Sequence, residues 1–362
     1  MSESYKTVRW PQSKGHDWVP NYSDPTAGDM MVMNGGGFAS NPEMRTRYLG
    51  PRWDTVKIRG IPYNTGEGRQ MALAVGALPY GSWTSCHASP QDMNRPAYSL
   101  PSTQAIGSIE WNRYAFPFGI LVNVHWQRFV DEVEDILALT CTKMGRAILV
   151  QPQGIAFQIF DARAREQGLL AAYGHVSGDT ADTLEALAGK LGVDSAGLVH
   201  TAQTFNAAIQ PGPTDLSPFR TDGNRTDSIT PPKSNYAMII ERPPFEGYAV
   251  CCGITFTFGG LKADPGTGQV QHVAGRPILG LYIAREMLGG LWHWNYLSGS
   301  GMMASEPPSA ASPGLTRCQS IPGAVEATTT DTHRLFRGRA KSISLARRAM
   351  QHQNHDKPTH TR

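Results

Sequence analysis

Apolar and polar positions change period several times along this chain, and each change predicts an element. The run Met30-Met31-Val32-Met33 is unbroken and halts at Asn34-Gly35-Gly36-Gly37-Phe38. That pattern predicts a buried strand entering a tight turn where glycine permits close backbone approach. Asn41-Pro42-Glu43 then supplies a cap, a proline for the first helical position and an acid for the first turn, so a short helix is expected through Tyr48. After the turn Asn64-Thr65-Gly66-Glu67-Gly68, residues Met71, Ala72, Ala74 and Val75 form a helical stripe that Gly76 stops. Such a turn presents a helix N-terminus, with its free N–H groups, to any electron-rich ligand.

Further along, Asp179-Thr180 is expected to cap a helix with Leu184, Leu187, Ala188 and Leu191 on one face and Gly192 at its end. A second helix is expected from Asp194 through Leu198, Thr201, Phe205 and Ile209. Residues 248–301 read as strand, Gly-Gly turn, strand, turn and strand, followed by an acid, a second Gly-Gly and a last glycine-rich turn opening a helix. Residues 1–27 follow neither period and read as an irregular arm.

With 362 residues, 40% apolar and 17% charged, the chain is long enough for two or three domains and has the balance of a globular protein. No run approaches the roughly 20 apolar residues of a membrane span, and the first residues lack a signal-peptide core. The five cysteines form no C-x-x-C pair, which predicts reduced thiols in a cytoplasmic protein and no metal site. The charge of +3 is uneven: from Asp331 onward eight Lys/Arg face two Asp, so this tail carries +6 and the remainder −3. No aromatic stacking pattern accompanies those charges. The longer segment that ends in these charges, residues 306–362, therefore reads as a solvated, disordered extension, with no nucleic-acid partner expected.

Three blocks carry a resemblance. GGGFASNPEMRTRYLG and IPYNTGEGRQMALAVGA…SCHA are similar to G-G-F-x-x-N-P-E-M-R, Y-N-T-G-D-G-x-x-M-A-L and G-C-H-A. TFGG, then GLYIAREMLGG, then GSG is similar to T-x-G-G, G-L-[YF]-A-A-G-E-x-x-G-G and G-G-S-G. Arg128-Phe129-Val130-Asp131-Glu132, Lys143-Met144-Gly145-Arg146 and Pro232-Lys233-Ser234-Asn235-Tyr236 add to it. From about Met31 to Ser305 the chain resembles the fumarate reductase/succinate dehydrogenase flavoprotein family, in particular its tricarballylate dehydrogenase-like branch. The resemblance implies an α/β fold: a partial FAD-binding, fumarate reductase flavoprotein-like domain with an inserted α+β capping domain. Its segments would be 28–91 and 247–305 for the FAD-binding domain and 92–246 for the cap that closes over the flavin.

By the same resemblance the cofactor is FAD, contacted by Gly36, Gly37, Phe38, Gly66, Glu67, Phe256 and Glu286. Glu286 would accept hydrogen bonds from the FAD ribose, and Glu67 stands for the aspartate of T-G-D-G. Ser300, Gly301 and Met302 would bring N–H groups and a helix dipole to the flavin pyrimidine edge. Arg285 occupies a position that is glycine in the family pattern. His87 corresponds to a histidine that binds a substrate carboxylate, and an imidazole can donate that bond while titrating near neutrality. Thr255 and Tyr296 stand where fumarate reductases have a substrate histidine and arginine, which implies a different substrate. Asp135-Ile136-Leu137-Ala138 replaces a segment that carries a further arginine, and Arg146 downstream substitutes if the local register differs.

The implied activity is hydride transfer between flavin N5 and a carbon–carbon bond beside a carboxylate or carbonyl, with a small carboxylate or carbonyl compound as substrate. Residues 1–30 contain no strand-G-x-G-x-x-G-helix pattern for the ADP half of FAD. Three explanations stand: a truncated product, a degenerate non-catalytic homologue acting as a binding or assembly subunit, or a chain whose flavin domain a protein partner completes.

Overall fold

A computed structural model of the chain describes residues 31–33, 36–98, 111–170, 173, 178–210, 212 and 220–295. The N-terminal arm, the last glycine-rich turn and the basic tail lie outside the described residues.

Strand β1 (Met31–Met33) runs into the turn before helix α1 (Pro42–Leu49), where the Asn41 side chain accepts the Met44 N–H at 3.0 Å. A cap of this kind contributes about 1 kcal/mol. Strand β2 (Lys57–Ile58) precedes α2 (Glu67–Ala74), which the chain enters through Gly66 and leaves through Gly76, both at positive φ. Strands β3 (Pro79–Tyr80), β4 (Cys86–Asp92) and β5 (Ile120–Asn123) follow, then α3 (Leu137–Leu149), β6 (Ile155–Phe160) and the short α4 (Ala162–Glu166).

The next segment corrects one expectation. Asp179 and Thr180 are not a helix cap; they lie in β7 (Gly178–Ala181), which pairs antiparallel with Gly247 and Glu246 of a distant strand. The helix they were expected to start is α5 (Leu184–Lys190), capped by Thr183, whose hydroxyl accepts the Ala186 N–H at 3.0 Å. Long-range pairing has overridden a local capping preference. Helix α6 (Ser195–Ala208) is capped by Asp194 as its pattern predicts, with Leu198 and Phe205 buried.

Strands β8 (Ile209–Gln210) and β9 (Arg225–Thr226) form a small ladder. Strand β10 (Phe245–Thr257) is the axis of the main sheet, and β11 (Gly260–Leu261), β12 (Gln269–Gln271) and β13 (Pro277–Ile283) complete the order. The six-stranded sheet runs β2-β10-β6-β5, with β4 and β7 also paired to β10. Only β2 is parallel to β10 in it. A second sheet, β1-β13-β12, holds β1 parallel to β13, and β3 pairs with β11.

Both faces of the main sheet are covered, which explains why Ile120, Leu121 and Val122 are consecutive apolar residues. Ile120, Val122, Phe157 and Ile159 pack with Leu187, Leu198 and Phe205 of α5 and α6. Leu121, Phe160, Tyr248 and Val250 pack with Cys141, Met144 and Ile148 of α3. Full burial of each such side chain contributes about 1.5 to 3 kcal/mol, so the sheet is a rigid frame for what its strand ends carry. A separate cluster, Ala72, Leu261, Leu281, Ile283 and Met287, seats α2 on the three-stranded sheet. The four described cysteines are free and buried, and no described helix is long and apolar enough to cross a membrane.

Candidate functional site

Three strand ends and a helix start converge on Glu286. This residue lies in the 3-10 turn Arg285–Met287 after β13 and is 7% exposed. Its Oε1 accepts the Thr257 N–H at 3.0 Å from the end of β10, and its Oε2 accepts the Asn64 side-chain amide at 3.2 Å from the turn before α2. The turn after β1 closes the fourth side. A Cβ on Gly37 would lie 2.0 Å from Glu286 Oε1 and 2.1 Å from Thr257 Oγ1, and one on Gly36 would lie 2.2 Å from Asn64 Oδ1. Only glycine lets the backbone come so near the carboxylate.

Arg69 of α2, fully buried, ties this knot together. Its guanidinium donates to Thr257 Oγ1 at 2.8 Å and to the Glu286 carbonyl. It also lies 5.4 Å from the Phe38 ring and 5.7 Å from Trp83, two rings stacked at 6.0 Å. Burial pulls its pKa down to about 10, against the opposing pull of Glu286, so it stays charged at neutral pH. Gly66 sits against Met44 and Phe38 in the left-handed conformation, φ +87, that starts α2. Glu67 accepts a hydrogen bond from the Thr65 hydroxyl.

One residue before Thr257, strand β10 opens. The strand is buried along its length except at Ala249, Thr255 and Phe256, which are partly exposed. Its register with β4 slips between Ile254 and Phe256, leaving Thr255 on a bulge of the kind that re-aims a side chain. His87 of β4 stands opposite Phe256, ring edge to face at 5.5 Å. It is 2% exposed, and desolvation first, the Arg59 charge second, lower its pKa to about 3. The expectation that His87 titrates near neutrality is therefore corrected: burial excludes the imidazolium, and the side chain is a neutral imidazole throughout the physiological range. The Thr255 Oγ1 atom is buried without a hydrogen-bond partner among the described residues.

Arg146 of α3 donates to the Thr84 carbonyl at 3.1 Å and lies over Trp294 at 4.2 Å and Trp53 at 5.6 Å. Tyr296, Ser300, Gly301 and Met302 fall outside the described residues. Asn64, Arg69, Trp83 and Thr257 were not singled out from the sequence as site residues. Asn64 and Thr257 belong to the Y-N-T-G and T-x-G-G patterns themselves, which was the available signal; Arg69 and Trp83 carried none.

The residues present fit FAD. The Glu286 carboxylate keeps lone pairs beyond those given to Thr257 and Asn64. Three buried polar atoms of the knot and its aromatic wall, Asn64 Oδ1, Arg69 Nε and Trp83 Nε1, have no hydrogen-bond partner among the described residues, and buried polar groups are rarely left so. Acceptors and donors in this mixture suit a polyhydroxylated group beside an aromatic wall.

Comparison with known proteins agrees. A family model described as FAD binding domain matches residues 26–302. The chain is similar to a probable fumarate reductase of Shewanella frigidimarina, with 26% identity over 75% of this chain and 41% of that protein. It is also similar to a 4-oxocyclohexanecarboxylate 2-dehydrogenase of Sinomonas cyclohexanicum, with 28% identity over 71% of this chain and 45% of that protein. The chain thus spans less than half the length of these relatives. Its mixed α/β fold is similar to that of an open-conformation flavocytochrome c3 fumarate reductase, at a TM-score of 0.55 and 23% identity, covering 80% of this chain and 49% of that one.

Proposed function

The chain belongs to the FAD binding domain family, its cofactor is FAD, and on that premise we propose that it is an FAD-dependent oxidoreductase acting on a carbon–carbon bond beside a carboxylate or carbonyl. Bound FAD supplies hydride uptake and release at N5. One observation carries the reading: Thr257, which binds the Glu286 carboxylate, is followed backward along β10 by Phe256 and Thr255, with His87 alongside. The cofactor knot and the opening beside it are thus built on consecutive residues of one rigid strand.

In this reading Glu286 accepts hydrogen bonds from the FAD ribose. Gly36, Gly37, Phe38, Gly66, Glu67 and Phe256 line the cofactor, and Ser300, Gly301 and Met302 are further candidates to contact it. His87, neutral, donates one hydrogen bond to the substrate carboxylate or carbonyl and does not exchange its own charge. Thr255 offers its hydroxyl beside it, and Arg146 of α3 and Tyr296 are further candidates to contact the substrate. Residues 92–246 form the cap that closes the site and excludes water, and the motif Asn41-Pro42-Glu43-Met44-Arg45 supports placement in the tricarballylate dehydrogenase-like branch. The named relatives support the substrate class: fumarate carries carboxylates beside its alkene, and 4-oxocyclohexanecarboxylate carries a ketone and a carboxylate.

The test is flavin retention. Protein equilibrated with FAD and desalted is expected to absorb at about 450 nm, as oxidised flavins do. Loss of the charge-assisted bonds in Glu286→Ala is expected to weaken FAD binding by roughly 10- to 100-fold while the fold is kept. Equal FAD affinity in the two proteins would remove Glu286 from the cofactor site and with it this reading.

A further inference from the structure

The opening at Thr255 has a cation on its other side. Arg59 donates its backbone N–H to the Ile254 carbonyl at 2.8 Å, immediately after the parallel pair Ile58–Ile254, so it flanks the Thr255 bulge across the β2–β10 ladder. Its side chain is partly exposed, and its Nη1 donates to the Tyr114 hydroxyl at 2.7 Å, with the guanidinium 5.5 Å from the Tyr114 ring. A guanidinium has five N–H donors, and the phenol takes one. Among the described residues no carboxylate lies within ion-pair distance of Arg59. Asp92, farther along β4, is fully buried and paired with Arg113.

Arg95, 2% exposed, bonds to Gln91 Oε1 at 2.8 Å. The charge of Arg59 is felt by both of its neighbours: it disfavours the proton on His87 and lowers Arg95, after desolvation, to about 10. Uncompensated positive charge in partly buried surroundings is costly unless something negative arrives.

We propose that Arg59, held by Tyr114, is the carboxylate-docking residue of this site, clamping the substrate's carboxylate while the Thr255 hydroxyl and His87 orient the rest. The inference rests on the oxidoreductase reading and chooses, between carboxylate and carbonyl, the carboxylate. It supplies the cation that Tyr296 and the segment Asp135-Ile136-Leu137-Ala138 do not. A guanidinium suits the task because its planar fork matches a carboxylate and cannot be discharged near neutral pH.

The test is calorimetric titration of the full FAD-loaded chain with succinate and with dimethyl succinate, which has the same skeleton without charge. Wild type is expected to prefer succinate. Arg59→Met is expected to lose succinate affinity by about 10- to 100-fold and to keep its affinity for the ester, because only a charge-assisted fork is removed. Arg59→Lys, which keeps the charge but not the fork, is expected to fall between the two, and it decides the matter if Arg59→Met does not fold. Succinate binding unchanged in Arg59→Lys and Arg59→Met, or an equal loss for succinate and ester, would overturn the proposal, as would a wild type that binds no succinate. Flavin content is read on the same samples. A flavin-loaded wild type without succinate binding sinks the docking role alone, whereas a flavin-free wild type that binds succinate through Arg59 sinks the oxidoreductase reading.

Discussion

His87 makes a prediction that can be worked through in numbers. Its pKa falls from 6.5 to about 3 on folding, chiefly because the imidazole is desolvated between β4 and β10. A folded-state value below the unfolded one means that the unfolded chain takes the proton first. The stabilisation is therefore complete above the unfolded value and is lost as pH falls from about 6.5 toward about 3. Between about pH 7.5 and about pH 4.5 this linkage removes roughly 2 to 3 kcal/mol of folding stability, and His87→Gln, which has no such proton, lacks the loss. Because His87 is 2% exposed, solvent screening takes little from that figure. Urea unfolding of wild type and His87→Gln at the two pH values, at fixed FAD, measures it as the difference between two differences. Parallel loss of stability in both proteins, or a His87 ring that titrates near its ordinary value by NMR, would refute the burial argument. The same reasoning predicts that substrate affinity shows no ionisation near pH 6.5 assignable to His87.

Two further substitutions test the site's construction. Gly37→Ala would place a methyl 2.0 Å from Glu286 Oε1 and 2.1 Å from Thr257 Oγ1. It is expected to cost about 1 to 3 kcal/mol and to release FAD, and a thermal melt and flavin content equal to wild type would show that the turn has slack. Thr255→Val removes a hydroxyl that has no partner among the described residues, so the melt is expected to hold or rise while the Michaelis constant for a carboxylate substrate increases. A lower melting temperature with unchanged kinetics would make that hydroxyl structural.

Much of this was legible in the sequence because it was local. Asn41-Pro42-Glu43 caps α1 as its residue types require, and Asp194 caps α6. The glycines at 36 and 37 announce a close approach, and the structure shows to what: the Glu286 carboxylate and Asn64. What could not be read was long-range. Asp179 and Thr180 carry a capping preference that pairing with Gly247 and Glu246 overrides. Arg69 looks like a polar helix position, yet it reaches Thr257 and Glu286 far along the chain, and nothing in its neighbours reveals that. Arg59 is one more arginine until β2 is laid beside β10 and sets it next to Thr255. His87 was recognisable by its motif, but a residue type reports neither its own desolvation nor its cross-strand neighbour, so its ionisation was misjudged and its contact with Phe256 went unread.

The central claim is that the Glu286 knot and the His87–Phe256–Thr255 opening together make a flavin site that works on activated carbon–carbon bonds. It is tested most directly by reoxidation under anaerobic conditions. The FAD-loaded chain, photoreduced and freed of oxygen, is mixed in turn with fumarate, with cyclohexenone and with an isolated alkene, and absorbance is followed at about 450 nm. Return of the oxidised flavin spectrum with a carboxylate- or carbonyl-conjugated alkene, and not with the isolated one, is the predicted result. A flavin that neither conjugated alkene reoxidises, though oxygen readily does, would contradict the account.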